Sequence, residues 1–102
     1  MFEVDGKQYE LKMNTNRVKM VEGATGKSIM GEWKTSEGLF SLNTVETIFQ
    51  LCLKEVGSDF FCPQKEGQKV CEQFMEEHGY PMAATVIMEA LQEDMPFLFR
   101  AN

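Results

Sequence analysis

The sequence is poor in the residues that do covalent chemistry. Its 102 residues include one His, one Trp, three Pro and three Cys. Nine and then eight residues separate Cys52, Cys62 and Cys71, so no C-x-x-C pair exists and metal-ligand spacing is lacking. Cys52 and Cys71 fall on apolar helical stripes and read as small buried hydrophobes, while Cys62, between Phe61 and Pro63, is the one expected near the surface. No run approaches the ~20 apolar residues of a membrane helix. The start, Met1-Phe2-Glu3-Val4-Asp5, has neither the basic residues nor the apolar run of a secretory leader. Reduced thiols in a cytoplasmic chain are the expectation. Bases are scarce in one half. Residues 1–40 balance six acids with six bases, whereas residues 41–102 set ten acids against Lys54, Lys65, Lys69 and Arg100. That acidic half repels phosphate backbones, which argues against general nucleic-acid binding and allows a basic protein partner.

Methionine and phenylalanine are plentiful, at eight each. The pattern they join predicts an α+β fold in one domain, residues 1–102: a short N-terminal β-hairpin, then about four helices in a predominantly helical bundle. Asp5-Gly6 between residues 2–4 and 7–13 is a hairpin signal, with Tyr9, Leu11 and Met13 on one face. Asn14 is placed to cap a helix over about 15–24, with Arg17, Met20, Val21 and Ala24 at helical spacing. Residues 26–40 are irregular, with Trp33 as a large anchor. Asn43 to Glu46 has capping-box spacing, followed by the stripe Val45, Ile48, Phe49, Cys52, Leu53 and Val56, with Gly57 closing the helix. Pro63 opens the next helix, whose buried face is Val70, Cys71, Phe74 and Met75. Gly79 ends it and Pro81 starts the last, with Met82, Val86, Ile87, Ala90 and Leu91 inward.

Candidate chemistry is weak. Gly23-Ala24-Thr25-Gly26-Lys27-Ser28 ends like a phosphate-binding loop, but position 21 holds Val where that loop needs Gly. The segment also follows a helix-like stretch, so a Gly-rich turn with a solvated Lys27 is expected. His78 precedes a helix-ending glycine, where the helix dipole accounts for it. Glu76 and Glu77 are adjacent on a helix and point apart. The chain is expected to be non-enzymatic, with no catalytic, cofactor or metal residues.

The segment Met95-Pro96-Phe97-Leu98-Phe99 competes with none of these. Proline stops the last helix, and large apolar residues follow at the end of the chain, where polar residues are usual. Either the segment folds back on the core or it docks another chain. Met95, Phe97, Leu98 and Phe99 are therefore the candidate partner-binding residues, for a partner or for self-association.

Three segments carry a resemblance to a known family. The opening, Phe2 to Lys12, reads apolar–x–apolar–x–Gly–Lys–x–Tyr–x–Leu and runs into a helix bearing Arg17 and Glu22. Gly38-Leu39-Phe40-Ser41-Leu42 leads into an amphipathic helix, and the last helix finishes in the Phe-containing tail Met95 to Phe99. In these respects the chain resembles the tail assembly chaperones of long-tailed bacteriophages of Gram-positive hosts and related prophages. The resemblance implies a host-cytoplasmic protein, absent from the finished virion. Such a protein binds the tape measure protein and helps tail tube protein subunits assemble around it. A structural virion component, such as a head–tail connector or minor tail protein, is the alternative reading.

Overall fold

Asp5 and Gly6 turn the chain back near its start. Both take left-handed backbone, φ 52° and 77°, which joins antiparallel strands through a two-residue turn. Strand β1 (Phe2–Val4) pairs with β2 (Lys7–Leu11), Phe2 opposite Tyr9 and Val4 opposite Lys7. Tyr9, Leu11 and Met13 are buried, as their alternation predicts. The register that pairs β2 with Leu53–Glu55 runs on for one residue beyond Leu11 and is left at Met13. Lys12 N–H donates to the Cys52 carbonyl at 2.9 Å and Met13 N–H to Asp94 Oδ2 at 2.7 Å.

The computed structural model describes residues 1–100. Among them the fold is α+β, a three-stranded antiparallel sheet with five helices, 63% helical. After the hairpin come α1 (Thr15–Thr25), α2 (Ile29–Thr35), α3 (Leu42–Cys52), strand β3 (Leu53–Glu55), α4 (Gln64–His78) and α5 (Tyr80–Asp94). A 3₁₀ turn, Pro96–Phe99, follows. The sheet order is β1-β2-β3. No helix among the described residues is long and apolar enough to cross a membrane.

Asn14 caps α1 as expected, its side chain accepting Arg17 N–H at 2.9 Å. The buried residues of α1 are Val18 and Val21, and Met20 is exposed, so the inward face is rotated from the expected one. Arg17 sets that rotation. Its guanidinium lies 3.7 Å from the centre of the Phe61 ring and donates to the Leu51 carbonyl at 2.9 Å, satisfying an orphan carbonyl in the last turn of α3.

Residues 26–40 are more regular than expected, because α2 lies within them. Ser41, not Asn43, caps α3, accepting Thr44 N–H at 3.1 Å. The helix also ends five residues before Gly57. Leu53 leaves helical backbone, at φ −78° and ψ 133°, because β2 recruits Leu53–Glu55 into the sheet. Leu53 stays buried there, and Val56 falls outside the core. On α5, Ala83, Ala84, Ile87, Ala90 and Leu91 are buried, Val86 sits at the core's edge and Met82 is exposed.

The core forms where α4 crosses α3. Val45, Ile48, Phe49, Val70, Phe74, Ile87 and Leu91 are all buried. Phe2 closes it from the sheet, its ring centre 4.9 Å from Phe74 and 5.9 Å from Phe49, spacings at which aromatic pairs attract. Gly67, inside α4, lets the two helices approach this closely. A Cβ there would lie 2.7 Å from Gln50 Cα and still nearer the Phe49 carbonyl. Helical glycine costs about 1 kcal/mol relative to alanine, so the close packing must return more than that. Gly67→Ala is accordingly expected to destabilise the protein by about 1–3 kcal/mol, the usual penalty of overpacking, despite its better helix propensity. Urea unfolding of the two chains measures the difference.

Candidate functional site

The segment after α5 sits where three elements meet. Asp94 fixes its start through Met13 N–H, and Met95 N–H donates to the Leu91 carbonyl at 2.8 Å. Pro96 then tightens the chain into the 3₁₀ turn, with Leu98 N–H donating to the Met95 carbonyl at 3.1 Å. The four candidate residues separate at this point. Met95 is 5% exposed and belongs to the core. Leu98 and Phe99 are half-buried against it. Phe99 meets the Trp33 ring edge-on, centres 6.3 Å apart. Phe97, between them, is 56% exposed.

Phe97 borders a groove of about 270 Å³. Val18 and Lys19 of α1, Ile29 and Met30 of α2, and Met95 and Leu98 complete most of its lining. The walls are mainly apolar. Glu22 also borders the groove, and its carboxylate accepts Ile29 N–H at 2.9 Å. The site can therefore receive an apolar side chain beside Phe97, with Lys19 as the cation at its edge.

The wall formed by α2 is held by a polar knot that the sequence reading missed. Ser28 caps α2, accepting Gly31 N–H at 3.0 Å. From the middle of α2, Glu32 accepts the Ser41 N–H and the Thr44 hydroxyl, the latter at 2.8 Å. It thus completes the cap of α3 from outside that helix. The Tyr80 hydroxyl donates to the Phe40 carbonyl, pinning the same loop to α5. Partial burial pushes the Glu32 carboxyl up, but the Ser41 and Thr44 donors, with Lys27 nearby, outweigh it and hold the group below its ordinary 4.5. The local signal that could have found the first cap is Ser28 ahead of Ile29 and Met30. The Glu32 contact is nine residues from Ser41, beyond any capping-box spacing.

The other candidates are dispersed. Gly26 ends α1 in left-handed backbone at φ 71°, and Ser28 is occupied as a cap, so the Gly-Lys-Ser run is a corner between two helices. Lys27 is exposed on it. Burial pushes the Cys52 and Cys71 thiols up to about 12, and it raises Cys62 as well, with Glu66 adding to the effect; thiols so shifted are poor nucleophiles. His78 ends α4 with its ring centre 4.8 Å from that of Phe74 and Nε2 3.8 Å from Glu77. Among the described residues, no three His, Cys, Asp or Glu side chains gather where they could hold a metal ion. No protein-family model, curated protein or solved structure matches this chain.

Glu32 makes a pH prediction. A carboxyl held below its ordinary value stabilises the fold above that value, and the contribution disappears as pH falls through the folded one. Glu32→Gln should cost about 1–2 kcal/mol at neutral pH, around the lower end of the roughly 1.5–3 kcal/mol for bonds to a charged acceptor, because the side chain is only partly buried. The gap to the parent chain should close in acid, as followed by urea unfolding across pH.

Proposed function

We propose that this chain is a non-catalytic holding protein, a phage tail assembly chaperone of the kind its sequence resembles. In this reading it works in the host cytoplasm, binds the tape measure protein and aids assembly of the tail tube protein around it. The observation that carries the reading is Phe97, a large aromatic left mostly in water beside an apolar groove. Exposed apolar surface gathered at one place suits recognition of another chain. The flanking residues fix how it is presented. Met95 anchors the turn in the core and Phe99 leans on Trp33, so Phe97 is displayed on an ordered element, which lowers the entropy lost on binding. Met30 in the wall supplies an adaptable surface, suited to a client with variable apolar side chains.

The test is co-expression of this chain with a tape measure protein, the client this reading assigns to it. The parent chain should co-purify with the client. Phe97→Asp changes an exposed residue, so it should melt with the parent yet lose capture by about tenfold or more, as expected at a binding hot spot. A Phe97→Asp chain that is folded and still captures the client would remove this groove from the account. Mass spectrometry of purified virions separates the chaperone from a connector or minor tail protein: a chaperone is missing from the particle, and a connector is present in it.

A further inference from the structure

A second apolar groove, of about 440 Å³, lies away from Phe97, between β1 and the first half of α5. Met1, Phe2, Phe74, Met82 and Val86 form most of it. Met1 is 83% and Met82 46% exposed. The rim is acidic. Glu3 and Glu89 line it, and Glu93 continues along α5, which carries no Lys or Arg. Lys12, in the adjoining hollow, is paired with Glu10 at 3.5 Å. His78 stands at the far end with its ring against Phe74. An occupant of this groove needs an apolar side chain flanked by cations.

The same molecule carries that combination elsewhere. On the outer face of α1, Lys19, Met20, Gly23 and Ala24 are exposed, and Lys27 follows at the corner. The acid of this helix, Glu22, turns its carboxylate to Ile29 N–H. The face is therefore cationic around an open Met20, with two small residues that permit close approach.

We propose that the acid-rimmed groove of one copy receives the α1 face of a second copy. Met20 enters beside Met82 and Phe2, and Lys19 and Lys27 lie towards Glu89 and Glu3. Charge complementarity selects this occupant, since the acidic groove and the cationic face belong to one chain. The two surfaces share no residue, so the contact is head-to-tail. Each added copy leaves one groove and one α1 face open, which gives a ring if the rotation closes and a chain if it does not.

The test is sedimentation velocity on the full chain over roughly a hundredfold range of concentration. The parent chain should grow in mass with concentration, and less so in high salt, which screens the charges. Two double variants each block one surface: Met82→Glu with Glu89→Gln in the groove, and Met20→Glu with Lys27→Gln on α1, so that the two blocked surfaces do not attract each other. Each alone should weaken self-association about tenfold or more. Mixed together they retain one intact pair of surfaces and should form a complex that stops at two copies, a result that a face-to-face contact would not give. All four positions are exposed or half-exposed, and circular dichroism checks each fold; Glu89→Gln alone serves where a double variant fails it. None of these residues lines the Phe97 groove, so client capture should survive in both variants. A parent chain that remains monomeric, variants that assemble like it, or a mixture that does not pair would each overturn the proposal. So would a monomeric chain whose acidic groove instead binds a Lys-rich amphipathic peptide, which would give the groove to a foreign helix.

Discussion

The approach of α4 to α3 at Gly67 sets the spacing on which the rest of the structure depends. Without a side chain there, the Gln50 and Phe49 backbone meets α4 directly. This brings Phe49 and Phe74 within 5.8 Å, centre to centre, and Phe2 of the sheet closes over both. The three rings join the hairpin to the helices, so the two-stranded hairpin does not have to be stable by itself, which isolated hairpins are only marginally. With α3 and α4 fixed, α5 is free to expose one side. Its inward face is made of Ala83, Ala84, Ile87, Ala90 and Leu91. The small alanines keep it close to the core, while Met82 stands outward.

A second constraint is polar. Helix α2 has seven residues, and Ile29 is its buried one, too little apolar surface to hold so short a helix in place. Glu32 supplies the attachment through Ser41 and Thr44, and it works because those donors hold the carboxyl charged. Trp33, the next residue, is then positioned to receive Phe99. The presentation of Phe97 is thus linked to a carboxylate more than sixty residues earlier in the chain.

These constraints explain what the sequence revealed and what it hid. The hairpin was legible because Asp5-Gly6 states its own backbone geometry, and the alternation through Tyr9, Leu11 and Met13 states its face. The stripes of α3 and α4 were legible because Val45, Ile48 and Phe49, and Val70, Cys71 and Phe74, repeat over several turns. The end of α3 was not. Leu53 and Val56 continue the helical period, and only pairing with β2, some forty residues earlier, turns them into strand and loop. The inward face of α1 was obscured by Arg17, whose partner Phe61 lies far along the chain. At the candidate site, the apolar run after Pro96 was visible, but its division into a buried Met95, two half-buried residues and an open Phe97 depends on Trp33 and α2. Those contacts have no local signature.

We propose the Phe97 groove as the surface that holds another chain. Hydrogen exchange of the chain alone and mixed with a tape measure protein, the client we propose for it, is the direct test. Exchange should slow at residues 95–99 and in the groove-forming parts of α1 and α2, with the α3–α4 core unchanged. Slowing confined to other parts of the molecule, with residues 95–99 exchanging as in the free chain, would contradict it.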